Sequence, residues 1–547
     1  MPDPHSHEKG LDRHERTQGA IPPPYRRALI LGLDALGWPV VESWIEAGAM
    51  PFLGALRKQG HRGALRSTLP HQTPAAWTTF MTGVQPGTHG IVNWERFDPL
   101  EQTECLHDMG RLEGKTIYHH VSRAGLKAGV AMQPMTYPPF ELNGYVLSGF
   151  DGPGLDAPFA WPRELEREIL ERCPEHGKNL NPDTEWREEG HEADDAVFCA
   201  NLDLLIERTR RTARLATDLQ RAHPTDVWMV YFHDPDLVMH RAWRWSVPEG
   251  VRENPRRHAK VLEYARALDE ACRVCDEAMP SEGRLTLALS DHGQRADRLR
   301  VRLNSVLMDL GLLVPASRLG LLKDFFRRLT DKAKRKGVGL PIDWARTKAF
   351  MPFQACTGFV YVNLKGRQPF GSVEPADYEK VRDETIEALR GYADPRTGER
   401  YFEAVGATDG LFKRKDALKL PDIYVQPNPG VEFVRRAKRG EAAFPTKRAY
   451  AGLHDPEGLY VLSGAGVKPG ESPAHICDLA PTLLACLGVD VPSYMEGSAL
   501  GRCFEAGLQV KTRPADWEED ESTGTPGYTA AQQAEIESRL SNLGYLD

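Results

Sequence analysis

The chain has 547 residues, an ordinary mixture of apolar and charged residues, and a formal net charge of −8. This length allows a large hydrophobic core, either in one domain with insertions or in two domains. The mild negative charge argues against nucleic acid as a partner, because nucleic-acid binding usually needs a concentrated basic face. No run approaches the roughly 18–20 continuous apolar residues of a membrane span, so we expect no membrane partner.

The first predicted segment, residues 1–24, is a polar stretch that we interpret as a disordered leader. It has no apolar segment of the kind that a signal peptide contains. The nine cysteines of the chain lack the regular spacing of a disulfide framework. Together these features favour a cytoplasmic location.

Beyond the leader, short and nearly continuous apolar runs alternate with helix-type stretches. Four runs are predicted strands, at residues 27–34, 226–232, 284–290 and 458–464, and residues 201–222 form an amphipathic helix pattern. Continuous apolar runs are typical of strands that are covered on both faces. The alternation predicts an α/β fold with a mostly parallel central sheet. Ligands gather at the carboxyl ends of the strands in such sheets.

Two segments have the character of insertions into the predicted α/β domain, which we place at residues 25–510. Residues 151–200 are polar and include a helix signal. Residues 320–420 include a basic helix pattern and a more β-like stretch. The remaining residues, 511–547, begin as an acidic linker and end in a helix pattern. This C-terminal helix could dock on the body of the chain or on a second subunit of a homo-oligomer.

Acidic and imidazole side chains stand at the tips of the predicted strands or in polar turns. Six of them are candidate metal ligands: Asp34, Asp236, His240, Asp291, His292 and His454. Asp236 and His240 are four residues apart, so they would face the same way on one helical turn. Asp234 is a rival for Asp236, which we prefer because of its spacing to His240.

The six candidate ligands comprise three carboxylates and three imidazoles, without a thiolate. This donor set suits zinc, or failing that manganese. Six ligands are too many for one tetrahedral ion with an open position, but they suit two ions that each keep a free position. Two divalent ions roughly 4 Å apart recur in displacement reactions at phosphorus, because they stabilise both the attacking and the leaving oxygen. The ligand set therefore predicts two divalent ions, Zn²⁺ in preference to Mn²⁺.

A nucleophile for such a reaction is offered by Thr73, in the stretch T-L-P-H-Q-T-P-A-A-W. It precedes a proline and could open a helix, whose N-terminus favours an anion. A hydroxyl becomes an effective nucleophile when a metal draws off its proton, so Thr73 would also contact a metal. Considered alone, Thr73 is better explained as a helix N-cap. The neighbouring ligand motifs favour the catalytic interpretation.

The order of these motifs resembles that of the alkaline phosphatase superfamily. The nearest likeness is to the type I phosphodiesterase/nucleotide pyrophosphatase family, in its prokaryotic phosphodiesterase and phosphohydrolase branch. It is carried by D-P-D-L-V-M-H, by D-H-G and by the late His454, within residues 27 to about 500. Phosphopentomutase and cofactor-independent phosphoglycerate mutase are similar to a lesser degree. The resemblance implies a three-layer sandwich with a mostly parallel central sheet and inserted cap segments.

The resemblance divides the six ligands between two metals, as Asp236 with His240 and His454, and Asp34 with Asp291 and His292. It makes Thr73 the nucleophile that bridges to the second of these metals and becomes phosphorylated. It implies a hydrolase of phosphoric ester bonds, acting on a small phosphodiester or phosphomonoester. Two alternatives stay open. One is a phosphomutase of the same superfamily, and the other is a non-catalytic metal-containing binding protein.

Overall fold

The computed structural model describes residues 25–98, 103–177, 186–316, 340–412, 420–446, 450–517 and 528–543. The predicted leader, the basic helix pattern after residue 320 and the middle of the acidic linker lie outside these residues. Among the helices that the model describes, none combines the length and the apolar composition that a membrane crossing requires.

The described strands and helices follow one another along the whole chain. The strands are β1 Arg27–Leu33, β2 His61–Arg66, β3 Glu95–Asp98, β4 Thr103–Leu106, β5 Ala128–Ala131, β6 Gly144–Leu147, β7 Ala160–Trp161, β8 Val227–Phe232, β9 Arg284–Leu289, β10 Gly293–Ala296, β11 Leu299–Arg302, β12 Ala349–Phe350, β13 Gly358–Val362, β14 Phe402–Ala407, β15 Ile423–Pro427, β16 Val431–Val434, β17 Ala443–Pro445, β18 Gly452–Asp455, β19 Glu457–Ser463, β20 Gly470–Glu471, β21 Ala474–His475, β22 Val491–Pro492 and β23 Thr512–Arg513. The α-helices are α1 Trp38–Glu46, α2 Pro51–Gln59, α3 Thr73–Thr82, α4 Pro86–His89, α5 Ile117–Arg123, α6 Leu165–Arg172, α7 Asp195–Ala222, α8 Asp234–Ser246, α9 Gly250–Glu253, α10 Pro255–Ala278, α11 Leu303–Asp309, α12 Tyr378–Gly391, α13 Leu479–Cys486 and α14 Ala530–Leu543.

A large central sheet organises the molecule, with the strand order β20-β2-β19-β9-β1-β8-β5-β6-β7 and β21 also paired with β2. Strand β1 lies between β8 and β9, and both run parallel to it. Strands β5 and β6 continue the parallel part, whereas β19 is antiparallel to β9 and β2. Every residue of β8 and β9 is buried, which explains why β8 is continuously apolar and β9 nearly so. The predicted α/β class with a mostly parallel sheet is confirmed.

The main hydrophobic core lies between this sheet and the helices that cover it. The long helices α7 and α10 lie side by side. The predicted insertion at residues 151–200 contributes buried residues to this core, among them Ile169 and Phe198. The described parts of this segment are therefore packed against the main core.

A second hydrophobic cluster belongs to the sheet β12-β13-β15-β14 and to α12. Apart from Val92, its buried members run from Val301 to Ala442. The cluster, which we call the second unit, thus includes residues on both sides of the range 320–420, which stays a prediction as an insertion. It forms a small body beside the central sheet, with a core of its own.

The C-terminal helix α14 docks on the body of the same chain. Ile536 and Leu540 are buried, and Arg539 donates hydrogen bonds of 2.8 Å to the carbonyl oxygens of Phe150 and Gly152. Of the two alternatives for this helix, the structure shows packing on the chain itself.

Candidate active site

Three neighbouring strands bring acidic groups to one edge of the central sheet. Strands β8, β1 and β9 are adjacent and parallel, so their carboxyl ends meet. Asp34 directly follows β1, α8 begins two residues after β8, and Asp291 follows β9 after a single serine. The fold therefore collects side chains that are some 200 residues apart in the sequence.

The late histidine reaches this edge through a short antiparallel ladder. Strand β10, which follows the Asp291–His292 pair, is hydrogen-bonded to β18, and Gln294 stands opposite His454 in this register. The rings of His292 and His454 are stacked with their centroids 3.8 Å apart. All six side chains that the sequence singled out as ligands are thus brought together.

The first ligand set consists of Asp34, Asp291 and His292, all fully buried. His292 Nε2 lies 3.3 Å from Asp291 Oδ2 and 3.6 Å from Asp34 Oδ1. The potential ligand atoms of the set all lie within 4.8 Å of one another. This spacing allows three donors to share one ion.

The second ligand set consists of Asp236, His240 and His454. His240 Nε2 lies 3.3 Å from Asp236 Oδ1 and 3.0 Å from His454 Nε2. Asp236 is fully buried, whereas the His240 side chain keeps 23% of its surface exposed. This set is therefore the one nearer to solvent.

The ring orientation of the three histidines supports cation binding. Each ring has Nδ1 within hydrogen-bond distance of a backbone carbonyl: His240 with Gly452 at 3.0 Å, His454 with His71 at 3.1 Å and His292 with Gly293 at 3.0 Å. A proton on Nδ1 leaves a lone pair on Nε2. The Nε2 atoms of His240 and His454 then cannot donate to each other, although they are 3.0 Å apart. A cation that accepts both lone pairs resolves this conflict.

The charges of the first set also fit a cation. Among the described residues, the ion-pair contacts of Asp34 and Asp291 are with His292 alone. Burial, followed by the neighbouring Asp291 and Asp236, raises the pKa of Asp34 well above its usual range. Burial likewise raises the pKa of Asp291 to about 7. Two adjacent buried carboxyl groups need a positive charge to stay ionised together.

The two acids of the H-D-P-D stretch have different surroundings. Asp234 forms a buried ion pair with Arg208 and accepts a hydrogen bond of 2.6 Å from Thr209 Oγ1. Asp236 instead faces His240 and His454. The structure therefore places Asp236, and not Asp234, in the second ligand set.

Thr73 lies beside the first ligand set. It is the first residue of α3, and the N-cap position belongs to Gln72. The side chain is fully buried, and its hydroxyl oxygen lies 3.4 Å from His292 Nε2. The threonine therefore combines a helix N-terminus with direct proximity to the candidate ligands.

Two polar partners of the ligands had no place in the sequence interpretation. The Tyr231 hydroxyl donates to Asp34 Oδ2, and Gln294 Nε2 donates to Asp236 Oδ1 at 2.9 Å. Tyr231 lies three residues before Asp234, and Gln294 lies two residues after His292. Their role depends on pairing across the sheet, which their position in the sequence does not reveal.

Comparison with known proteins identifies a family model and solved structures that the chain resembles. The family model described as type I phosphodiesterase / nucleotide pyrophosphatase matches residues 28–457. Human ectonucleotide pyrophosphatase/phosphodiesterase 5 is similar in structure, with 14% sequence identity and a TM-score of 0.51, over 88% of this chain and 100% of that chain. The murine protein of the same name is similar at 13% identity and a TM-score of 0.48, with the same coverage of both chains. No curated protein matches the sequence.

Proposed function

The chain belongs to the type I phosphodiesterase/nucleotide pyrophosphatase family of the alkaline phosphatase superfamily and is a hydrolase of phosphoric ester bonds, and we propose that it cleaves small phosphodiesters through a phosphorylated Thr73. The observation that carries the proposal is the buried Thr73 hydroxyl, 3.4 Å from His292 Nε2. A reactive hydroxyl beside six clustered nitrogen and oxygen donors is the arrangement that phosphoryl transfer requires.

Two divalent cations, with Zn²⁺ preferred to Mn²⁺, are the cofactors in this proposal. One would be held by Asp34, Asp291 and His292, and the other by Asp236, His240 and His454. When bound, they would supply Lewis-acid chemistry, which lowers the pKa of the Thr73 hydroxyl and stabilises negative charge on the attacking and leaving oxygens. The buried carboxyl groups and the Nε2 lone pairs of the histidines support this assignment.

The reaction uses Thr73 twice. In the first step Thr73 Oγ1 loses its proton and attacks phosphorus, the bond from phosphorus to the leaving oxygen breaks, and the released alcohol takes up a proton. In the second step a water attacks the phosphothreonine, so that a phosphate monoester leaves and the Thr73 hydroxyl is restored. The N-terminus of the ten-residue helix α3 favours the negative charge of the phosphoryl group.

The test is the hydrolysis of bis-4-nitrophenyl phosphate and 4-nitrophenyl phosphate, each with and without a chelator. The proposal expects chelator-sensitive cleavage of the diester. Cleavage of the monoester alone would identify a phosphatase. Incorporation of oxygen from labelled water into the phosphate product distinguishes hydrolysis from the phosphomutase alternative, in which the phosphoryl group returns to substrate.

The proposal covers a small-molecule phosphate ester as substrate, without nucleic acid or membrane as partners. The cytoplasmic location and the homo-oligomer stay predictions from the sequence. Size-exclusion chromatography with light scattering tests the oligomeric state directly.

A further inference from the structure

We propose that the leaving group of the substrate is a neutral, polyhydroxylated alcohol of the sugar or polyol class, bound by Glu403 and Gln426. The inference rests on the proposed function and specifies the substrate of that same site. It follows from the cleft that opens beside the second ligand set, from the charges of this cleft and from the side chains that line it.

The cleft lies at the leaving-group end of the candidate site. Its walls include His240 and His454 together with His71 and Gln72, whereas Thr73 and the first ligand set do not line it. In phosphoryl transfer the attacking and leaving oxygens stand roughly in line on opposite sides of phosphorus. An attack from Thr73 therefore directs the leaving group away from the Thr73 hydroxyl, towards the cleft that His240 and His454 line.

The opposite wall of the cleft comes from the second unit. Glu403 belongs to β14, Gln426 to β15, and Gln354 to the segment between β12 and β13. The cleft is thus formed between β14 and β15 on one side and α8 with the β10–β18 ladder on the other. Differences in the second unit can change the leaving group without changing the ligand sets.

Most of the charges in the cleft are already neutralised by the protein. Arg295 forms an ion pair with Asp455, and Glu432 forms one with Arg300. The exposed Glu403 has no ion-pair partner among the described residues. No unpaired cation therefore remains in the described wall to receive an anionic leaving group, whereas one carboxylate remains to accept hydrogen bonds.

Amide groups complete the lining beside Glu403. Gln426 accepts a hydrogen bond of 3.3 Å from Thr357 through Oε1, so its NH₂ group is the part that can donate to a ligand. Gln354 and Asn428 also line the cleft, but their NH₂ groups already donate to Glu432 Oε1 and to the carbonyl oxygen of Arg400. The Glu403 carboxylate as acceptor and the Gln426 amide as donor together match hydroxyl groups, each of which both donates and accepts.

The cleft does not have the lining that an aromatic leaving group requires. No Phe, Tyr or Trp is found among the described residues around it. Nucleobases are commonly held by stacking on aromatic side chains, and quaternary ammonium groups by aromatic cages. The side chains present favour hydroxyl recognition over either.

The experiment compares two methyl phosphodiesters that share a six-membered ring, those of myo-inositol and of cyclohexanol, and includes the methyl phosphodiester of ethanolamine as a cationic alternative. The ratio of the kcat/KM values for the inositol and cyclohexyl esters is measured for the wild type, Glu403→Ala and the control Glu399→Ala. Glu399 is an exposed acid of the second unit that does not line the cleft. The intrinsic reactivity of each ester cancels when the ratio is compared between enzymes.

The inference expects the ratio of inositol to cyclohexyl ester to fall by about tenfold or more in Glu403→Ala, because a hydrogen bond to a charged group is lost. The control Glu399→Ala should keep the wild-type ratio. An unchanged ratio in Glu403→Ala would overturn the inference, and so would a preference for the ethanolamine ester over the inositol ester. Bis-4-nitrophenyl phosphate separates the two proposals: if the wild type does not cleave it, the proposed function itself is wrong.

Discussion

Gln294 donates a hydrogen bond of 2.9 Å to Asp236 Oδ1, and both side chains are buried. Gln294 also stands opposite His454 in the β10–β18 pairing. One glutamine thus orients a carboxylate of the second ligand set and lies on the strand that pairs with the one carrying His454, another member of the set. Residues that hydrogen-bond a metal ligand without binding the metal themselves commonly change the metal affinity of the site.

Replacing Gln294 by methionine should therefore lower the affinity of the second ligand set for its metal ion by roughly 10- to 100-fold. Methionine keeps the length of the side chain but cannot donate the hydrogen bond to Asp236. Zinc titration of metal-free protein by calorimetry measures the effect. The matched control is Gln220→Met, since Gln220 is also buried but bonds Thr225, and this variant should keep wild-type affinity. Equal affinities in both variants would show that Gln294 does not orient Asp236.

The two acids of the H-D-P-D stretch should respond differently to the same substitution. Asp236→Asn should lose one bound metal per chain, because a carboxylate of the second set is removed. Asp234→Asn should keep both metals but lower the free energy of unfolding by about 3 kcal/mol, since Arg208 is left as an unpaired buried charge. Metal analysis and denaturant unfolding of both variants distinguish the outcomes. Loss of metal from Asp234→Asn would reverse the assignment of the two acids.

Thr73→Ala should reduce phosphodiester hydrolysis by roughly a thousandfold or more, because no other residue is proposed to form the covalent intermediate. Thr73→Ser, which keeps the hydroxyl, should retain measurable turnover. Acid quenching with a phosphorus-labelled diester should trap label on the wild type and on the serine variant, but not on the alanine variant. Full activity in Thr73→Ala would exclude the phosphothreonine.

Removal of metal by a chelator should lower the melting temperature as well as abolish activity. The three carboxylates of the ligand sets are fully buried, and they lose their counter-charge when the cations leave. An ion that binds only the folded state adds about 2.7 kcal/mol at a hundredfold excess over its Kd. Thermal unfolding with free chelator and with zinc-saturated chelator measures the difference. Native mass spectrometry should count two ions in the wild type and one in His454→Ala.

Arg539→Ala should destabilise the protein by about 2 kcal/mol, because the carbonyls of Phe150 and Gly152 lose a buried donor. Arg172→Ala serves as the control, since Arg172 forms a partly exposed pair with Glu168 and should change the stability by less than about 0.5 kcal/mol. Urea unfolding of the two variants provides the measurement. Equal stabilities would mean that α14 does not anchor the segment around residue 150.

Local patterns in the sequence were sufficient to predict the α/β class, because burial on both faces makes a strand continuously apolar. They also located Asp34 and Asp291 at strand tips and paired Asp236 with His240 through helical spacing. Such features depend only on residues a few positions apart. His454 entered through the order of motifs, and its position beside Gln294 was not foreseen.

The tertiary structure decided what depends on residues far apart in the chain. It paired Asp234 with Arg208, directed the Tyr231 hydroxyl to Asp34, and packed residues from Val301 to Ala442 into a second hydrophobic cluster. A periodic pattern indicates which face of a helix or strand is buried, but not which other element packs against that face. Strand order and register supply that information, because the free energy of packing is shared among contacts between distant segments.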